Sequence, residues 1–306
     1  MKKNNKTRDY GSICIVPVLT THQRKVFTHF PYKLYRNHDY WIAPLKNLEK
    51  KQFSIKSNSF LRQNPHCLFL AYRYGKVVGR VSAHLNHDHQ RIYNENAGFI
   101  GFFESINNQR VANALFNAAL DWLKAQEIKI IRGPVSFTMN EMAGLLTEGF
   151  KINPAVNMPY HPTYYSKLWD SYGFTKEKEL FAWYFNPEAC LHPIVNKIAD
   201  TAERTPGLIV RKFNKKDCEG EFQKTWEIYK NAWQKEWGNY PPDWEEFYPK
   251  ALLLKKIVNN NFVWIAEIHN QPVGIGLALP DINQVLSTMN GRLWPWNLFK
   301  LWRFVK

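Results

Sequence analysis

The chain has 306 residues, of which 45% are hydrophobic and 15% aromatic, and its formal net charge is +15. That length accommodates two domains of ordinary size, and the apolar content excludes an intrinsically disordered chain. The charge favours anionic partners such as nucleotides, coenzymes, nucleic acid or an anionic surface, and it equally describes a basic, soluble surface with no specific partner. The four cysteines, Cys14, Cys67, Cys190 and Cys218, are scattered without paired spacing. This argues against a disulfide framework or a zinc site and suits reduced thiols in a cytoplasm. No apolar run is long enough to span a bilayer.

Residues 1–10 are polar and read as loose. Residues 13–19 are apolar and contain Pro17; they follow a basic leader and lack a small-residue cleavage site, so they read as a first strand rather than a signal peptide. Residues 23–35 are helical in pattern, with Phe27, Phe30 and Leu34 on one side, and Pro31 is predicted to divide them into two short pieces. Residues 40–45 form an aromatic lid or buried loop, and 46–56 a basic, solvated helix or loop. A hairpin follows: strands 67–72 and 77–84 around the turn Arg73-Tyr74-Gly75-Lys76.

The organising unit spans residues 97–137. An apolar strand (97–104), a polar break (105–108), a helix (109–126) and a second short strand (128–131) succeed one another. The helix is predicted to bury Val111, Leu115, Ala118, Ala119 and Trp122 on one face. Strands apolar on both faces belong at the centre of a covered sheet, joined by a right-handed crossover. The N-terminus of such a helix suits a phosphate.

Residues 138–159 read as a long loop, and 161–171 as a helix with Pro162 in its first turn and Gly173 at its end. An aromatic closing strand is predicted at 179–185, broken by Asn186-Pro187, with a bridging helix at 192–203. Thr205-Pro206-Gly207 marks a boundary, giving domains 1–206 and 207–306. After it come a strand (208–211), helices (221–233 and 244–258), and strands 262–268 and 272–280 around a turn at 269–271. Residues 262–279 repeat the layout of 67–83, "apolar strand, turn, Val-Gly".

The order of these elements, with Val77-Val78-Gly79-Arg80, Gly101-Phe102-Phe103-Glu104, Gly133-Pro134 and Pro162-Thr163-Tyr164-Tyr165, resembles the GNAT acyltransferase fold. Further matches are Phe30-Pro31, Leu34-Tyr35, Trp41, Pro44-Leu45, Trp122-Leu123, Gly144-Leu145-Leu146 and Gly149-Phe150. Asn231-Ala232-Trp233, Trp237-Gly238, residues 279–284 and residues 290–295 extend the likeness to tandem GNAT-like bacterial proteins. The resemblance implies an α/β, mixed α+β fold: a twisted mixed sheet flanked by helices, followed by a partial second GNAT-like module. It implies an N-acyltransferase, with acetyl-CoA or a longer acyl-CoA as donor, and a small-molecule amine as acceptor. It leaves open a homodimer.

Two departures matter. The coenzyme loop of the family, Gln/Arg-x-x-Gly-x-Gly/Ala, falls here on Gln109, Arg110, Val111, Ala112, Asn113 and Ala114, with Ala112 in place of the first glycine. The late tyrosine that acts as general acid is replaced by Trp169. The first module then reads as a substrate-shaping or inactive half. In the second, the segment that supplies an intact coenzyme loop in the family would follow residue 306, so the chain is expected to lack it.

Acyl transfer to an amine needs a base. Glu104, at the end of the central strand, is the candidate, and the alternative for it is an exposed strand-end carboxylate or one paired with Arg80; Glu141 is a weaker candidate. Tyr160, Tyr164, Tyr165, Trp169, Trp183 and Tyr184 could line an acyl or aromatic substrate pocket or be core. Asn283 is a candidate substrate contact or a turn residue. His84, His87, Asp88 and His89 could bind zinc, but a solvated loop is the reading adopted, with no metal. Lys46, Lys50, Lys51, Lys56 and Arg62 with Phe53 and Phe60 have the composition of a single-strand nucleic-acid binder without its motifs. An inactive GNAT scaffold that binds a ligand or partner is the second alternative.

Overall fold

The computed structural model describes residues 8–10, 12–186, 188, 192–233, 236–255 and 258–305. It comprises two compact units. The first joins Met1–Glu177, Trp237–Tyr240 and Asp281–Phe304; the second joins Lys178–Glu236, Pro241–Pro280 and Val305–Lys306.

The first unit is a six-stranded sheet in sequence order: β1 (Arg8–Tyr10), β2 (Ile13–Pro17), β3 (His66–Arg73), β4 (Lys76–Leu85), β5 (Ala97–Ser105) and β6 (Ile130–Arg132). All pairings are antiparallel except β5 with β6, which is parallel, so the sheet is mixed. The β3–β4 turn has Tyr74 and Gly75 at positive φ, as a tight hairpin requires.

Helices cover both faces. One carries α5 (Gln109–Lys124), which buries Val111, Leu115, Ala118 and Ala119, and α6 (Tyr164–Asp170), which adds Tyr165, Leu168 and Trp169 to the same core. Trp122 is only half-buried and Leu123 takes the inward position, because the apolar stripe continues through Leu115 and Ala119 to that residue. The other face carries α1 (Thr21–Leu34), α2 (Lys46–Gln52) and α3 (Ser59–Gln63) over a core of Phe27, Phe53, Phe60, Leu70, Phe102 and Phe137. Phe53 and Phe60 are thus core rings rather than stacking platforms for bases.

Pro31 does not divide the first helix. α1 runs unbroken from its Thr20–Gln23 capping box to Leu34. A proline there removes the donor that would reach the carbonyl of Phe27. That carbonyl instead accepts from the Arg80 guanidinium at 3.0 Å, so the vacancy is filled from β4 and the helix continues.

The His-rich segment is not a solvated loop. His84, next to last in β4, is fully buried and stacked on Phe99, and burial pushes its pKa down to about 3. His87, Asp88 and His89 open helix α4 (His87–Tyr93), and His89 is buried beside Glu95. Among the described residues no three His, Cys, Asp or Glu side chains could hold a metal ion, and no helix is long and apolar enough to cross a membrane. Among the described residues Cys14, Cys67 and Cys218 form no disulfide; Cys190 lies outside the described residues.

The second unit holds α7 (Pro193–Glu203), α8 (Cys218–Ala232), α9 (Trp244–Lys255) and a three-stranded antiparallel sheet of β7 (Leu208–Lys212), β8 (Val263–Ile268) and β9 (Gln271–Leu277). Its register repeats that of β2–β3–β4. Ala266 faces Gly274 as Ala71 faces Gly79, each pair beside a bulge, and Val210 faces Ala266 as Ile15 faces Ala71. Arg211, Lys224, Glu221 and Glu267 form its charged centre. The strand predicted at 179–185 is not formed: Phe181, Trp183, Tyr184 and Phe185 are exposed coil without ladder partners. Alternation alone could not show that no edge receives them.

Candidate functional site

The site is built around a defect in the central strand. Arg80 pairs with Glu104 and Ser82 with Gly101, so β5 carries one residue more than β4 across this interval. The bulge falls at Phe102, whose φ of 48° is left-handed. A one-residue insertion exchanges the faces of everything after it. Ile100 and Phe103, three apart, therefore lie in the same core cluster, while Phe102 joins the opposite one. Glu104 is thereby turned from the α5 side toward α1. Gly101 is required beside the bulge, because a Cβ there would collide with the Val135 carbonyl.

Glu104 is received by three groups. The Tyr35 hydroxyl, one residue past α1, donates to Glu104 Oε2, and the Tyr165 hydroxyl of α6 donates to the same oxygen at 2.7 Å. The Arg80 guanidinium lies 3.7 Å from Oε1. Tyr165 is fixed by a second bond, accepting from the Ser105 amide at 2.9 Å, and Tyr164 donates to the Ser105 carbonyl at 2.8 Å. Arg80 is fixed by the Phe27 carbonyl and lies 4.9 Å from the Phe27 ring centroid. Burial raises the pKa of Glu104, against the opposing pull of Arg80 and the hydroxyls. Burial and the neighbouring carboxylate hold both tyrosines far above their ordinary range, so they are neutral donors. Glu49 of α2 is a second, partly buried carboxylate in this field, its pKa raised by desolvation and by Glu104 and lowered by Arg80.

A cavity of about 610 Å3 approaches this group, with Tyr35, Trp41 and His38 in its wall. Trp41 stacks on Tyr35 at 5.0 Å between centroids, and Tyr160 meets Tyr35 edge-on at 6.2 Å. Trp41 and Ala43 of the 40–45 segment thus line the cavity.

The other expected site residues separate. Glu141 accepts from Gln52 at 3.2 Å, away from the Glu104 bonds. Trp169 is buried among Phe103, Phe116 and Phe174, a core residue and not a pocket wall. Asn283, in α10 (Asn283–Leu286), donates to the Pro154 carbonyl at 2.7 Å and pins the 138–159 loop. Trp183 and Tyr184 are exposed in the other unit.

At the start of α5, the Asn108 side chain caps the Val111 amide. Gln109 is committed to Asn113 and to the Leu168 carbonyl. Val111, Ala112 and Ala114 are buried, and Arg110 is the exposed cation. The first turn holds no acidic residue. Its dipole end and Arg110 suit an anion, whereas the other side chains of the expected coenzyme loop are structural.

Sequence reasoning missed Tyr35, Glu49 and the bulge. Their signal was faint: a tyrosine four residues after a helix proline, and a glutamate in a lysine-rich run.

The Acetyltransferase (GNAT) family pattern matches residues 31–141. Protein YghO of Escherichia coli K12 is 31% identical over 290 residues, covering 93% of this chain and 73% of that protein. Bacterial ceramide synthase of Caulobacter vibrioides is 30% identical over 295 residues, covering 96% and 77%. An aminoglycoside acetyltransferase from an uncultured soil metagenomic sample, solved in complex with trehalose, aligns over 57% of this chain and 96% of its own at 12% identity and a TM-score of 0.33. On the family match and these two relatives, the chain belongs to the GNAT acetyltransferase family.

Proposed function

We propose that the chain is an N-acyltransferase that moves an acyl group from acyl-CoA to an amine, with Glu104 as general base. The observation that carries this reading is the buried carboxylate, re-aimed by the bulge and held by the hydroxyls of Tyr35 and Tyr165 beside Arg80. A raised pKa moves a carboxylate toward that of a useful base at neutral pH.

Tyr35 stands between the cavity and Glu104. The amine's proton passes to the Tyr35 oxygen as the tyrosine's own proton passes to Glu104 Oε2, or directly to Glu104. The freed lone pair attacks the thioester carbonyl, the C–N bond forms, and collapse of the tetrahedral species breaks the C–S bond. The side chains that donate to Glu104 Oε2 are tyrosine hydroxyls, and the hydroxyl of the adjacent Ser105 is committed to the Ile106 carbonyl at 2.9 Å, in keeping with direct attack rather than an acyl-enzyme. The donor's phosphates would meet the α5 N-terminus and Arg110. A ceramide is a fatty amide of a long-chain amino alcohol, so the name of the Caulobacter relative supports an amine acceptor and a long acyl donor. Acyl-CoA chemistry and free thiols support a cytoplasmic setting. The repeated register of β7–β8–β9 supports reading the second unit as a GNAT-like module.

The alternative of a binding protein without turnover rests on Trp169, whose buried indole cannot serve as the leaving-group acid. One assay separates the two: thiol release from acyl-CoA in the presence of an amine, by the native chain and by Glu104→Gln. Release that depends on Glu104 supports the enzyme.

A further inference from the structure

We infer that the cavity beside Glu104 is built for an amine that also carries an anionic group. Three cations from three elements reach its wall: Arg36 just past α1, Lys46 at the start of α2, and Arg292 after α10. Among the described residues none of the three is engaged in an ion pair with a carboxylate. Asp39 is the one carboxylate in the same wall, so positive charge prevails.

The arrangement is held in place. The Lys46 amide donates to the Gly291 carbonyl at 3.0 Å, and its ammonium lies 5.1 Å from the Tyr32 ring centroid. Gly291 has a φ of 69°, and a Cβ there would strike the Pro44 carbonyl. Only glycine allows the turn to come this close, and the turn brings Arg292 to the cavity beside Lys46. Tyr35, whose hydroxyl is on Glu104, lines the same cavity. The cavity thus has three cations in its wall and a carboxylate bonded to another of its lining residues, Tyr35. Such a dipolar site orients a dipolar ligand: its phosphate or carboxylate on Arg36, Lys46 and Arg292, its amine toward Tyr35. The orientation of the amine rests on the acyltransferase reading; the anion site does not.

The test is calorimetric titration of the full chain with three probes sharing one hydrocarbon: 2-aminooctan-1-ol, its 1-phosphate, and 2-aminooctanoic acid. The phosphate or the carboxylate is expected to bind at least about tenfold tighter than the alcohol, and the stronger of the two identifies the anion. In the Arg36→Glu, Arg292→Glu double variant this preference is expected to vanish while binding of the alcohol persists. Both side chains are exposed, and persisting alcohol binding reports that the variant has folded. Equal affinity for all three probes, or a preference unchanged in the double variant, overturns the inference. Turnover is scored separately. A phosphate preference without acylation would leave the anion site standing and sink the acyltransferase reading; acylation without a preference would do the reverse.

Discussion

Replacing Glu104 by Gln separates catalysis from stability, because the structure assigns the two effects different sizes. The amide can still accept from Tyr35 and Tyr165, so those bonds survive. The pairing with Arg80 at 3.7 Å is lost. Breaking a buried pair costs about 3–5 kcal/mol when the remaining charge has nothing else, but Arg80 keeps the Phe27 carbonyl and the Phe27, Phe53 and Phe102 rings. The expected cost is therefore about 1–2 kcal/mol. It is also pH-dependent. The folded pKa of Glu104 lies above the unfolded value, so the stability it contributes is fully present below the unfolded pKa, near 4.5, and is lost as pH rises through the folded pKa. The variant's deficit against the native chain thus shrinks as pH rises. Activity behaves differently. Removing a general base costs about 10²–10⁴ in kcat, equivalent to about 3–5 kcal/mol. The assay is thiol release with a saturating amine from pH 5 to 9, alongside thermal melts at each pH. The native chain should show an acidic limb in kcat and the variant a low, flat profile there. If Glu104→Gln kept more than a tenth of native kcat, or kept the acidic limb, the base assignment would fail.

Three further outcomes are expected. Pro31→Ala restores a helical donor to the Phe27 carbonyl, which then has two donors, and loosens Arg80; melting should rise, reflecting a gain of about 1–2 kcal/mol after the unfolded-state term, while kcat falls. A fall in both would contradict the proposed division of that carbonyl. Arg110→Glu should weaken coenzyme A binding about tenfold in a calorimetric titration, with melting unchanged because Arg110 is exposed; unchanged affinity would move the donor site away from α5. In the second unit, Arg211 and Lys224 hold Glu267 down at about 2. Its contribution is present above the ordinary carboxylate range and is lost as pH falls through about 2, so Glu267→Gln should flatten the acid end of the unit's melting profile.

The sheet and its principal helices were legible because their signals are local. Residues 97–104 are apolar on both faces, residues 109–124 carry a helical stripe, and Arg73-Tyr74-Gly75-Lys76 is a turn by composition. Glu104 was legible by its place at a strand end. What escaped were features decided by partners far along the chain. Trp169 and Tyr165 are aromatic neighbours on one short helix, yet one is core and the other holds the carboxylate, and only Phe103, Phe116 and Ser105 decide which. Pro31 was read as a break because the donor that heals it comes from Arg80. The run 179–185 has strand composition, but composition does not supply a neighbouring edge.

The locally unfavourable features of the first unit are not scattered. A proline stands inside α1, a phenylalanine is left-handed in the central strand, and a carboxylate is buried at raised pKa. A left-handed non-glycine residue costs about 1–2 kcal/mol and an interior proline about 3 kcal/mol, sizeable against a total stability of about 5–15 kcal/mol. All three bear on the same few atoms: Pro31 frees the carbonyl that orients Arg80, the Phe102 bulge turns Glu104 to meet it, and the four residues from Pro31 place Tyr35 on Glu104. Independent defects of folding would not converge in this way. Their coincidence at one carboxylate, beside a cavity, is what a constraint on that carboxylate's position and charge would leave.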